Sequence, residues 1–261
     1  MVKESVKEKI DIIFSGAGLP LKLPQFTKGT KTKAVPIVSS GRACNVICKS
    51  WSRHYDMVPD AVVVEGPQAG GHLGFSLEQL DDPKFQLNNL LKEVLKVIKP
   101  YEDKFKKRIP VIAAGGVYSG KDIAELIKAG ASGVQMATRF VATHECDASE
   151  EFKKAYINAD IGDVKLIESP LGMVGRAIEN DFLKDVEQGL KKPIRCITNC
   201  LKPCKPKEAP YCIADALMSA QRGNMSRGFA FAGSNVHKIN KIVSVKELME
   251  DLVFDATNAM L

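Results

Sequence analysis

The segment Ala61–Phe75, AVVVEGPQAGGHLGF, carries the most suggestive chemistry in the chain. Its β-branched run, Val62-Val63-Val64, has the composition of a fully buried strand. The run leads into Glu65-Gly66, then Gly70-Gly71-His72, then Gly74. Glycines in such a loop let the backbone take positive φ and come close to a ligand. His72 is the side chain there that moves a proton near neutral pH. The same residues also fit a plain glycine-rich turn whose histidine is satisfied by a backbone carbonyl. Spacing alone leaves both readings open.

A second constellation joins Gly115-Gly116 to Gln135-Met136-Ala137-Thr138. Two successive loops of small residues, each following a strand of a parallel barrel, present backbone N–H groups to a phosphate. A short helix N-terminus there adds a favourable dipole. Against this, glycines also serve simply to permit tight turns. Phosphate binding is favoured because both loops fall where barrel enzymes place such sites.

Two further groups of residues invite a functional reading. Cys196, Cys200, Cys204 and Cys212 lie in CITNCLKPCKPKEAPYC. The C-x3-C-x3-C-x7-C spacing is not a usual zinc or iron–sulfur pattern. Cys196 and Cys200 fit one helix face, but Pro203 and Pro206 break any helix that would carry Cys204 and Cys212 as well. The expectation is reduced thiols and no metal. Cys44 and Cys48, four apart on an expected helix, are read as packing residues. Ser169-Pro170-Leu171-Gly172-Met173-Val174-Gly175-Arg176 reads as a loop in which Arg176 either holds an anionic group or is solvated at the surface. His54, His144 and His237 are read as structural or solvated.

The elements that must position these residues alternate. Strands are expected at Lys9–Phe14, Ala34–Ser39, Ala61–Glu65, Pro110–Ala114 and Gly133–Met136. Helices are expected at Gly41–His54 and Leu87–Ile98, and from a Ser119 cap to Lys128 with Gly130 as the stop. Beyond Arg139 the rhythm changes: a helix at Glu150–Asn158, a short strand at Val164–Ile167, then mostly helix and loop. Strands alternating with helices mean βαβ units and a parallel sheet. In such sheets the chemistry gathers at the C-terminal strand ends. Ser15–Gly18, Ser39-Ser40, Glu65–Gly74, Gly115-Gly116 and Ala137–Arg139 all fall there.

The bulk composition bounds the rest. The 261 residues are 45% hydrophobic, with a formal charge of +6, so there is ample material for a core. The charge is spread through most segments, which speaks for solubility and mild attraction of anionic ligands rather than a nucleic-acid surface. No apolar run is long enough to span a bilayer, and MVKESVKEKIDIIF lacks the apolar core of a signal peptide. Seven cysteines without such a signal point to a reducing cytoplasm.

EGPQAGGHLGF closely resembles the E-G-x-E-A-G-G-H-x-G signature of nitronate monooxygenases, with Gln68 standing where the family usually has an acidic residue. FMN-dependent enoyl-acyl-carrier-protein reductases share that signature and fold. The resemblance runs on through IPVIAAGGVYSGKDIAELIKAGASGVQMATRF, the Ser169–Arg176 segment and Ala232–Asn235. It implies a TIM-type (β/α)8 flavin barrel that spans residues 1–179, with a helical extension over residues 180–261. It implies FMN as cofactor, with Gly71, Gly115, Gly116, Gln135, Ala137 and Thr138 against it. His72 becomes the catalytic group and Arg176 a substrate contact, with Ala232–Asn235 at the cofactor rim. The reaction implied is oxidation of alkyl nitronates by oxygen. Reduction of an enoyl thioester with NAD(P)H is the alternative. A barrel needs eight strands and five are seen before the rhythm changes. The expectation is that the first three strands of the family fold are lacking. They would be dispensed with by an altered fold, or supplied by a second copy or a partner chain. A third reading is an inactive fragment, or a subunit that works only with that partner. No nucleic acid or membrane is expected as a partner, only a small-molecule substrate.

Overall fold

The computed structural model describes residues 1–190, 194, 196, 198, 200 and 204–261. The chain forms two compact units. The first comprises residues 1–67, 78–135 and 256–261, and the second residues 68–77 and 136–255. The main division along the chain falls after Gln135.

The first unit is built on five parallel strands: β1 (Ile12–Ser15), β2 (Lys33–Val38), β3 (Val62–Glu65), β5 (Val111–Ala114) and β6 (Gly133–Gln135), in the order β1-β2-β3-β5-β6. These are the five strands expected, with ends shifted by one to three residues. Strand β1 starts late because Lys9 takes a left-handed φ of 57°, which interrupts extended backbone. The β-branched run of β3 is fully buried at Val62, Val63 and Val64. One face of the sheet carries a cluster of Val35, Val63 and Ala114, with Ile37, Ala61 and Ile112 packed on it.

Helices follow their capping signals. Ser40 accepts from the Ala43 N–H and opens Gly41–Tyr55, which buries Cys44, Ile47, Cys48 and Trp51. Such a cap is worth about 1 kcal/mol. Ser119 and Asp122 form a reciprocal capping box at the start of Gly120–Lys128. The helix expected at Leu87–Ile98 continues to Phe105 through Pro100. Pro100 and Lys96 are both exposed, so the Lys96 carbonyl that loses its helical donor faces water.

The second unit centres on an antiparallel sheet in the order β4-β8-β7: β4 (Gly71–His72), β7 (Val164–Glu168) and β8 (Val174–Ile178). Loop or helix is the sequence-based expectation for β4 and β8. Around the sheet lie helices Glu150–Ile157, Asp181–Glu187 and Ile213–Gln221. An aromatic core of Phe182, Tyr211 and Phe229 packs with Ala177, Leu183, Ile213 and Ala216. Helix Val245–Met260 runs from the second unit into the last residues of the first. No helix among the described residues is long and apolar enough to cross a membrane.

Candidate active site

In the second unit the histidine loop becomes a strand. Gly71 pairs with Arg176 and His72 with Gly175 in the β4–β8 ladder, and the Leu73 N–H continues it onto the Val174 carbonyl at 2.8 Å. Gly71 has φ +81°, a conformation that an L side chain strains to adopt. The loop before it is pinned by the tail segment Ala232–Ser234. The Ser234 N–H donates to the Gln68 carbonyl at 3.1 Å. A Cβ on Gly70 would stand 2.4 Å from the Ala232 carbonyl carbon and 2.6 Å from the Gly233 nitrogen. Only glycine lets these two backbones cross there.

The His72 ring lies against Phe231, centroids 5.2 Å apart and planes at 60°. Phe231 is held in turn by the Tyr156 hydroxyl, which donates to its carbonyl at 2.6 Å. His72 Nε2 is buried with no hydrogen-bond partner among the described residues. Burial also lowers the pKa of the imidazole, so the neutral ring is favoured at neutral pH. A buried polar nitrogen left unpaired costs about 1–3 kcal/mol. A ligand that offers it a hydrogen bond recovers that cost. The backbone-carbonyl partner of the plainer reading is absent at this nitrogen.

Arg176 was expected on a loop. Its place in β8 opposite Gly71 corrects that, because the hairpin turn Ser169–Met173 has already closed: Ser169 and Met173 pair at 2.9 Å and Gly172 takes φ +71°. The guanidinium donates to the Ala69 carbonyl at 2.7 Å, which braces the histidine loop. Thr138 opens the short helix Thr138–Val141, with Ala137 at its cap position. Its hydroxyl accepts from the Gly233 N–H at 3.0 Å. Gly71, His72, Thr138 and Arg176 therefore belong to one constellation, tied together by Gln68–Gly70 and Ala232–Ser234.

In the first unit, Gly115 and Gly116 follow β5, and both have φ +88°. Two successive positive-φ residues turn the chain sharply at the strand end and fit a backbone anion site. Gln135 ends β6 and is exposed. Its register partner is Ala114, whose other partner is Glu65. The Glu65 carboxyl has no hydrogen-bond or ion-pair partner among the described residues, and burial pushes its pKa up to about 7. Glu65, Phe231 and Tyr156 were not singled out from sequence. A carboxylate closing the run Val62–Val64 was the visible signal for Glu65. Phe231 and Tyr156 are remote from His72 in sequence and left none.

The remaining candidates separate by burial. Cys44 and Cys48 are fully buried, and their mutual hydrogen bond and burial raise the Cys44 thiol pKa. Cys200 is exposed, and Cys196, Cys204 and Cys212 are half-buried. Pro203, expected to break a helix there, lies outside the described residues. No group of three or more metal-capable side chains is arranged to hold an ion among the described residues. His54 and His144 are exposed, and His237 Nδ1 lies 3.0 Å from the Ser234 carbonyl.

A family model described as nitronate monooxygenase matches residues 1–255. A probable nitronate monooxygenase of Staphylococcus aureus strain Newman is 35% identical over 134 residues, which is 49% of this chain and 34% of that protein. The chain thus matches about a third of the length of that curated relative. FabK from Thermotoga maritima superposes with a TM-score of 0.76 at 28% identity, covering 98% of this chain and 71% of that one. Nitroalkane oxidase from Streptomyces ansochromogenes shares the fold, with a TM-score of 0.74 at 22% identity over 99% of this chain and 67% of that one. The architecture is α/β with a parallel sheet, matching that of these proteins.

Proposed function

The chain belongs to the nitronate monooxygenase family, and on that footing we propose that it binds FMN and oxidises small alkyl nitronates with molecular oxygen. The observation that carries this reading is His72 Nε2, buried and unpartnered on a glycine-rich strand. FMN, when bound, supplies the redox step: it accepts electrons from the substrate and passes them to oxygen.

The protein's own residues bind and orient. The backbone after β5, at Gly115 and Gly116, is assigned to the flavin phosphate, and Gln135 to the cofactor. In the second unit Gly71, Ala137 and Thr138 keep their assignment to the cofactor. The neutral imidazole of His72 hydrogen-bonds the substrate through Nε2 and accepts a proton where a nitroalkane must first become a nitronate. Arg176 acts by holding the Ala69 carbonyl, and so the strand that carries His72, in place. The reaction belongs in a reducing cytoplasm, as the free cysteines suggest.

A second reading, NAD(P)H-dependent reduction of an enoyl thioester, is favoured by the likeness to FabK at 28% identity. Anaerobic addition of propionate-3-nitronate or of NADH to the FMN-loaded protein decides between them. Bleaching of the flavin by the nitronate and not by NADH supports the oxidation. The opposite result replaces it with the reductase, and no flavin uptake at all removes both.

A further inference from the structure

At the aromatic core of the second unit lies a cavity of about 410 Å³ that the reading above does not use. Phe182, Tyr211 and Arg227 line it, together with the first turn of helix Ile213–Gln221 from its cap residue Cys212 to Ala216. Ring contacts separate it from His72: Tyr211 meets Phe229 at 5.8 Å, Phe229 meets Phe231 at 5.0 Å, and Phe231 meets His72. Tyr211 is 2% exposed, yet its hydroxyl has no hydrogen-bond partner among the described residues. Burial pushes its pKa up to about 12, so it stays a donor at neutral pH. Leaving a buried hydroxyl unpaired is costly, and a ligand that accepts from it recovers the cost.

Most other polar groups on the wall donate as well. Helix Ile213–Gln221 has no side-chain cap at Cys212. The first N–H groups of a helix have no partner within it and carry partial positive charge. Arg227 adds a guanidinium, and the segment that carries it is fixed. Asn180 Nδ2 donates to the Met225 and Gly228 carbonyls at 3.0 and 2.7 Å, and a Cβ on Gly228 would overlap the Ala216 carbonyl of the helix. The carboxylate on the wall, Asp215, is engaged by Arg227 at 3.2 Å.

We propose that this cavity is a second binding site whose ligand is a small organic carboxylate. Its anionic end accepts from the Tyr211 hydroxyl, the helix N–H groups and Arg227, and its apolar body lies against Phe182 and Ala216. The volume is that of a small-molecule site, and a bare inorganic anion would not match the apolar part of the wall. The ligand takes the place of Asp215 at the guanidinium. That exchange costs little, because Arg227 and Asp215 are 64% and 56% exposed and so exposed an ion pair holds weakly.

The test is calorimetric titration of the full chain with benzoate and with benzamide, which has the same shape and no charge. Benzoate should bind, and benzamide at least ~10-fold more weakly. Tyr211→Phe keeps the ring packing and should weaken benzoate binding ~10-fold, as should Arg227→Gln. Asp215→Asn should tighten it, since it releases Arg227 and removes a negative charge beside the anion. Without ligand, Tyr211→Phe should melt no lower than the wild type, because the hydroxyl it removes has no partner to lose. No benzoate binding, or equal binding of benzamide, overturns the proposal. So does a Kd unmoved by both Tyr211→Phe and Arg227→Gln, which places the benzoate elsewhere. A clear fall in the Tm of Tyr211→Phe overturns it as well, since the hydroxyl is then already paired. Neither Tyr211 nor Arg227 is assigned to flavin or nitronate, so each of these results leaves the flavin reading standing.

Discussion

His72 and Phe231 meet ring to ring, centroids 5.2 Å apart, because the residue opposite His72 in the β-ladder is Gly175. A Cβ at position 175 would lie 2.9 Å from Phe231 Cε1 and 3.3 Å from the Gly71 carbonyl oxygen. Gly175→Ala should therefore push Phe231 off the imidazole and disturb the β4–β8 pairing. The expected cost is about 1–3 kcal/mol of stability, as for other overpacked sites. Turnover should fall by ~10–100-fold, since small displacements of a positioned group are costly. Thermal unfolding and kcat, measured side by side, check this. A variant as stable and as active as the wild type means that the Phe231 contact does not position His72.

His72→Ala should leave FMN binding nearly unchanged and lower turnover by ~10²–10⁴-fold. The pH profile separates this from a packing defect. Burial lowers the pKa of His72, so the neutral form persists below pH 6.5 and the acid limb of kcat/KM should fall there, not at the ordinary histidine value. Stability carries the same signature. As pH drops below 6.5 the unfolded chain takes up the proton first, so the native state loses stability in that window. Both effects should vanish in His72→Ala. An unchanged acid limb in the variant returns His72 to a structural role.

The four cysteines from Cys196 to Cys212 should carry no metal. Their C-x3-C-x3-C-x7-C spacing is not a usual zinc or iron–sulfur pattern. Elemental analysis of untagged protein purified without oxygen is the check. About one zinc or several irons per chain, lost on replacing Cys200 and Cys204 with Ser, would overturn this prediction.

The parallel sheet was legible because each of its strands is announced locally. Val62–Val64 is a buried β-branched run, and Ser40 and Ser119 cap the helices that follow β2 and β5. The antiparallel sheet was not, because its partners come from distant segments. Gly71-His72 is too short and too glycine-rich to read as a strand until Gly175 and Arg176 are known to pair with it. The same holds for the site. His72 and the paired glycines Gly115-Gly116 stand out by residue type, and the glycine at 70 is visible as a loop glycine. Its reason, the crossing of Ala232-Gly233, depends on a chain reversal that no local pattern encodes. Arg176 was read as a ligand contact from the family resemblance and its charge; that it also donates to the Ala69 carbonyl left no local sign, because Ala69 lies far away in sequence.

Glu65 gives the prediction that tests burial at the sheet rim without any ligand. Its pKa is raised from 4.5 to about 7 in the folded protein by desolvation. Between those values the native state holds a proton that the unfolded chain has released, so stability falls as pH rises through the window and is level above it. The expected loss is on the order of 3 kcal/mol. Glu65→Gln keeps the shape and a hydrogen-bonding end but cannot ionise. It should match the wild type near pH 4, where Glu65 is neutral in both states, and exceed it at pH 8 by most of that amount. Urea midpoints with unchanged m-values across pH 4–8 measure the difference. Parallel stability curves for the two proteins would show that Glu65 ionises freely at the rim.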